Sequence, residues 1–453
     1  MITLRIRYNN IDKFDIEQYQ TQYSSCLHFI YNRIYDSNNT LSEVQLRQFY
    51  DKINNKELIS KWMFQCCIKE AKQIYSKHKT NKVIFGGKAN FFNRLKSKIS
   101  KEEYKANRLS PIYSIGEESK KGNRLFRIQN DMSIIFQPNR NTHYMLELIG
   151  IGNNRMKYIS KLIELQNNRQ IGITYKLDST YIYISFDETK IELHKHNKIE
   201  NRILALDLNP NYIGYSIVDW HDDNKYDIVS KGVYSFEKYN IIESKQHKLK
   251  LASYAKQRIH INNKRHYDII DICKNIVDKA IHYKCQIIGI EDLNIKPSNR
   301  GKGTNFNKQC NNKWMRNLFT TNLTKRCNVN NIRLVKVIPN YSSFIGNIAF
   351  RHEELPDMIL ASLEIGRRAY EYNLQYIEKK KNKIKNIVFP KLEDFYDSYV
   401  KSLEEFNIKE KFSTWIEMYQ YIKEAKIMYR FPFDKCKCLK VFRFKSSLCY
   451  ILQ

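Results

Sequence analysis

At 453 residues the chain has room for two or three domains and a sizeable core. Its 77 Lys and Arg against 47 Asp and Glu leave a formal charge of +30, an excess too large to be incidental, and a polyanion is the natural partner. No apolar run approaches the roughly 20 residues that span a bilayer, so no membrane is expected. The opening MITLRIRYNN has no secretory core, and the 10 cysteines stand singly or as Cys66-Cys67; both point to a reducing cytoplasm. Aromatics at 13% of the chain, interleaved with cations, suit stacking on RNA or single strands.

In chain order, Met1 to Tyr8 alternates as a strand, and Ile16 to His78 turns helical, with Cys26, Phe29, Ile30 and Ile34 on one stripe. Val83 to Arg94 holds Gly86-Gly87 between aromatics and the cations Lys88 and Arg94. Such a pair can cradle a phosphate or simply turn the chain, and it lacks the spacing of a nucleotide-binding P-loop. Arg124 to Gln137, Tyr144 to Ile149 and Gly172 to Asp187 are dense in β-branched and aromatic residues and read as strands, with a helix over Met156 to Gln166. The expected unit is a β-barrel or sandwich over 1–15 and 81–190 with a helical insertion over 16–80. The polar connector Lys190 to Asn201 is its boundary.

Asn201 to Trp220 (NRILALDLNPNYIGYSIVDW) reads as two apolar β runs around an Asn-Pro-Asn turn. Asp207 closes the first run. A carboxylate among strand formers is costly without a partner, often a metal; the alternative is an acid that opens the turn. Tyr226 to Phe236 supplies a third strand. Ser244 to Tyr283 is a long basic helix whose Lys248, Lys256, Arg258, Lys264 and Arg265 face either nucleic acid or solvent. Cys285 to Asn294 (CQIIGIEDLN) is a second buried run ending in acids, at Glu291. The polar loop Lys296 to Lys313, with Arg300 and Lys302, and Trp314 at the start of the next helix are further nucleic-acid candidates. Ile332 to Ile338 is a strand. Leu355 to Tyr372 (LPDMILASLEIGRRAYEY) is a helix with Pro at its start and Asp357 in its first turn, where a macrodipole role is the alternative. The tail over 373–453, basic and then helical over Phe395 to Met428, carries no assigned role.

The order strand-hairpin-strand, helix, strand, helix describes a ribonuclease H-like fold, in which the first and fourth strands are neighbours. LALDLNPNYIGYSI, IIGIEDLNIK and LPDMILASLEIGRRA resemble the three RuvC motifs of TnpB transposon-encoded nucleases and the related type V CRISPR effectors. The resemblance implies an α+β chain: a wedge-like β-barrel with a helical recognition insertion, then a RuvC-like domain over 201–372 with a basic bridging helix over 244–283. It further implies Asp207, Glu291 and Asp357 as catalytic residues holding two Mg²⁺ ions, with Mn²⁺ as a substitute. The partners implied are a guide RNA and double-stranded target DNA bearing a short flanking motif, in a prokaryotic cytoplasm. One departure stands out. The family's four-Cys zinc ribbon between the second and third motifs is missing: Pro339 to Asn347 is followed by no CxxC pair, and only Cys310 and Cys327 lie between Glu291 and Asp357. Cys436, Cys438 and Cys449 are a weak zinc signal, and no structural zinc is expected. Two alternatives stay open: a guide-dependent DNA-binding regulator that does not cut, and a structure-selective nuclease that needs no guide. Oligomeric state is left open.

Overall fold

The chain divides into two units, Met1–Leu193 and His194–Gln453, with a mixed α+β fold. The computed structural model describes residues 1–51, 59–192, 197–209, 211–221, 225–236, 254–293, 315–379, 389–431, 439–444 and 447–452. Lys248, the 296–313 loop with Arg300 and Lys302, Trp314, Cys310, Cys436 and Cys438 lie outside the described residues, as do the side chains of Lys256, Arg258 and Cys449.

In the first unit the strands are β1 (Ile2–Asn10), β2 (Ile112–Ser114), β3 (Phe126–Ile128), β4 (Ile134–Asn139), β5 (Thr142–Ile149), β6 (Thr174–Leu177) and β7 (Tyr181–Phe186). They form one antiparallel, barrel-like and nearly closed sheet in the order β2-β6-β7-β1-β5-β4-β3. Period-two alternation puts Leu4, Ile6 and Tyr8 inside, with Leu4 opposite Ile184 and Ile6 opposite Ile182. Asn123 links the two edges: its amide donates to Ser114 O, Ile115 O and Ile173 O, and its Oδ1 accepts from the Leu125 and Phe126 amides. The helices between β1 and β2 are α1 (Ile16–Asp36), α2 (Glu43–Asp51), α3 (Lys61–Lys77), α4 (Gly87–Leu95) and α5 (Lys101–Ala106). Asp15 and Ser60 cap α1 and α3, and Tyr23, Leu27, Ile30 and Ile34 form the buried stripe of α1.

Two expectations change here. Helix extends past residue 80, because Gly86, at φ +82°, turns the chain into α4; a Cβ there would sit 2.9 Å from Asn107 O. The 124–137 run is a hairpin rather than one strand, broken at Asp131-Met132-Ser133, where Asp131 Oδ1 accepts from the Ser133 amide. Helix α6 (Asn153–Asn167) precedes β6.

The second unit contains β8 (Ile199–Leu208), β9 (Tyr212–Trp220), β10 (Tyr226–Ser235), α7 (Tyr254–His282), β11 (Cys285–Glu291), α8 (Arg316–Val329), β12 (Arg333–Val337), α9 (Ser342–Ala349), α10 (Asp357–Lys379), α11 (Tyr396–Glu405), α12 (Trp415–Glu424), β13 (Leu439–Phe444) and β14 (Ser447–Leu452). Its sheet runs β12-β11-β8-β9-β10-β14-β13. The central strand β8 pairs antiparallel with β9 and parallel with β11, which itself pairs parallel with β12. Both faces of β8 are buried, so its LALDL run is apolar without alternation. Leu204 and Leu206 pack toward the α7 core (Ile272, Ile276), while Ile203 and Ala205 pack toward the α10 core (Ile359, Leu363).

The expected boundary at 372/373 falls inside α10. Beyond it, α11 and α12 bury Phe395, Tyr399, Trp415 and Met418 in the same cluster as Phe344 and Phe350, so these helices complete the core around α9 and α10. The Leu439–Phe444 and Ser447–Leu452 runs form a hairpin that pairs β14 with β10. Among the described residues no helix is long and apolar enough to cross a membrane.

Candidate active site at the ends of the central strands

Asp207 is the penultimate residue of β8, and Glu291 is the last of β11. The parallel register pairs Leu206 with Ile290, which brings the two acids to the same end of adjacent strands. Asp207 faces Gly214 across the β8–β9 ladder. That glycine is where α10 comes closest: a Cβ on Gly214 would stand 2.2 Å from Met358 O. The missing side chain therefore lets the first turn of α10, with Asp357, settle onto the sheet beside Asp207.

Asp207, Glu291 and Asp357 line one cavity of about 850 Å³. The turn-opening role that was the alternative for Asp207 belongs to Asn209, whose Oδ1 accepts from the Asn211 and Tyr212 amides at 3.1 and 2.8 Å. Ser342 Oγ donates to Glu291 Oε1 at 2.5 Å, and Asn347 Nδ2 donates to Asp357 Oδ1 at 2.6 Å. Burial raises all three carboxyls. Asp207, 6% exposed, is pushed well above the usual range by burial and then by the charges of Glu291 and Asp357. Glu291 rises to about 7 through burial, restrained by the Ser342 hydroxyl and the Arg368 charge. Asp357 is raised by burial, against the pull of Arg430 and Asn347.

Among the described residues lining the cavity, the one cation is Arg430. Three carboxylates beside one guanidinium leave two negative charges uncompensated once ionised. An all-oxygen donor set of that charge fits a hard divalent cation such as Mg²⁺ or Mn²⁺. The acids are not closed into a cage: among the described residues no group of three His, Cys, Asp or Glu side chains is drawn together tightly enough to enclose an ion.

Neither a family model nor a curated protein matches the sequence. Solved structures similar to the chain include a Cas12f1-sgRNA-target DNA complex, at 14% identity over 77% of this chain and 80% of that one, with a TM-score of 0.41. A CRISPR-Cas12f ternary complex is similar at 12% identity over 72% of each chain, TM-score 0.27. A Cas12i-crRNA-dsDNA complex in the I1 state is similar at 10% identity over 87% of this chain and 67% of that one, TM-score 0.29.

The basic candidates fall differently. Lys264 is exposed on α7, and Lys88 is exposed on α4. Arg94 is half-buried and donates from Nη1 to Ile99 O, closing its own turn. Arg265 is corrected: at 2% exposure it lies inside the protein and offers no surface to a polyanion. Its position explains this, since it stands four residues from both Ile261 and Ile269 on the buried stripe of α7.

Several residues around the acids escaped the sequence reading. Ser342 sits within the Pro339 to Asn347 stretch singled out in the sequence. No local signal marked the role of Asn347 or Arg430. Arg368, paired with Glu364, donates from Nη1 to Ile338 O and Asn340 O at 2.5 and 2.9 Å, and so fixes the loop that leads to Ser342.

Proposed function

We propose that the chain is an RNA-guided DNA endonuclease whose RuvC-like, ribonuclease H-like unit cuts DNA paired to a bound guide RNA. The observation that carries this reading is the gathering of Asp207, Glu291 and Asp357 in one cavity at the ends of β8 and β11 and the start of α10. Strand order supports it, with β8 between parallel β11 and antiparallel β9, as do the three RuvC-like motifs and the +30 charge.

Asp207, on the central strand between the other two acids, would hold both Mg²⁺ ions, with Glu291 and Asp357 completing one site each. Two such ions, when bound, activate a water and stabilise the departing 3′ oxygen in an in-line displacement at phosphorus. The protein's own contribution is placement. Ser342 orients Glu291, Asn347 orients Asp357, and the ladder partner Gly214 keeps Asp207 close to the first turn of α10. Guide RNA and a target duplex with a short flanking motif are the proposed partners, with the first unit and the basic face of α7 as the surfaces to hold them.

The test is to purify the full chain, sequence the small RNA that accompanies it, and offer DNA complementary to that RNA. The reading expects Mg²⁺-dependent cutting that Asp207→Ala abolishes while salt-sensitive binding is retained. RNA-dependent binding without cutting would establish a regulator instead. Cutting of branched DNA by RNA-free protein would establish a structure-selective nuclease.

A further inference from the structure

Arg430 follows the last helix of the chain's α-helical tail, far in sequence from the three acids, yet it stands at their cavity with its Nε 3.8 Å from Asp357 Oδ2. That distance makes an ion pair and exceeds a hydrogen bond. The side chain is 58% exposed, so the pair itself adds little stability.

The backbone around Arg430 is nonetheless held from both sides. Arg351, itself 5% exposed and paired with Glu405, donates from Nη1 to Tyr429 O at 2.8 Å. Asn347, fully buried, accepts from the Phe431 amide at 2.9 Å through Oδ1, and through Nδ2 it donates to Asp357. One amide side chain thus sets both the Asp357 carboxylate and the segment that carries Arg430. Two buried polar residues fix the relation between an exposed guanidinium and a half-buried acid, and an exposed ion pair gives no reason for such support.

A substrate does. A phosphodiester entering a cavity lined by three acids is repelled by them, and the guanidinium fork matches the two non-bridging oxygens of a phosphate. We propose that Arg430 is a substrate-contacting residue supplied by the C-terminal segment, which binds the non-bridging oxygens of the DNA phosphate presented to Asp207, Glu291 and Asp357. Asn347 and Arg351 are its positioning residues. The inference rests on the nuclease reading above and adds to it the group that holds the phosphate.

The test uses the full chain with its accompanying RNA, and target DNA complementary to that RNA. Single-turnover cutting in Mg²⁺ is expected to slow on the order of 10²-fold in Arg430→Ala, the scale of losing one preorganised donor to a reacting oxyanion. Arg430→Lys, which keeps the charge and loses the fork, should recover part of that loss. Mg²⁺ affinity, read by calorimetry on the DNA-free protein, should be unchanged or tighter in Arg430→Ala, because a competing cation has gone. DNA carrying an uncharged methylphosphonate at the mapped cleavage position should slow the wild type by a larger factor than it slows Arg430→Ala. Wild-type rates in Arg430→Ala overturn the proposal, as does a rate loss that follows weakened Mg²⁺ binding or a methylphosphonate penalty that is the same in both proteins. A wild type that never cuts removes the nuclease reading as well.

Discussion

Helix α10 carries two acids two turns apart, Glu364 buried and Asp357 half-buried, and they live in opposite surroundings. Glu364 is fully buried, with Arg367 Nε at 2.8 Å and Arg368 Nε at 2.7 Å. Burial drives its carboxyl up, but the two guanidiniums outweigh burial and hold it below the usual range. Asp357, Asp207 and Glu291 are driven up by burial too, and the single guanidinium at their cavity does not bring them back. An acid neutralised by its own chain is a structural tie. Acids left short of cations destabilise the fold that holds them, which makes sense where another cation is meant to bind.

The sharpest way to break this contrast is Glu364→Ala. It removes the one carboxylate that both buried guanidiniums share and should cost about 3–5 kcal/mol in denaturant unfolding of the second unit. A loss under 1 kcal/mol would mean that the triad is no tie. Gly214→Ala comes next. With a Cβ 2.2 Å from Met358 O, the strand and helix must separate, at about 1–3 kcal/mol. Cutting should fall further than the melting temperature suggests, because the displaced turn carries Asp357; parallel losses would detach Gly214 from the site.

Glu291→Gln should act in the other direction. The folded carboxyl titrates at about 7, against roughly 4.3 when unfolded. Its protonated form therefore favours the fold fully below pH ~4.3, and that stability is lost as pH rises through about 7. In chelating buffer the Gln variant should match the wild type at pH 4 and exceed it by on the order of 1–3 kcal/mol at pH 8. A gap that does not change with pH would place the shift elsewhere.

Much of the second unit was legible in the sequence because its acids end strongly apolar runs. ILALD and IIGIE each read as a buried strand closed by a charge, and Pro356 marked the helix start before Asp357. What stayed illegible was brought in by tertiary contacts from distant segments. Nothing local distinguishes Arg430 from the chain's other cations, and Asn347 reveals its role only through bonds to Asp357 and Phe431. Arg265 is the opposite case. Its i, i+4 spacing with Ile261 and Ile269 is legible in the sequence and marks the buried face of the helix, whereas its charge alone suggests the surface. In the 124–137 run the density of β-branched residues masks the Asn-Asp turn that splits it into two strands.

The central claim, that Asp207, Glu291 and Asp357 are undercompensated in order to bind divalent cations, has a direct test that needs no nucleic acid. Melting of the full chain is followed with and without Mg²⁺ or Mn²⁺, in the wild type and in Asp207→Asn. Binding at a hundredfold excess over Kd stabilises by about 2.7 kcal/mol, so the wild type should melt several degrees higher with the ion. Asp207→Asn should melt at the same temperature with and without it. An equal cation-induced rise in both proteins would contradict the account.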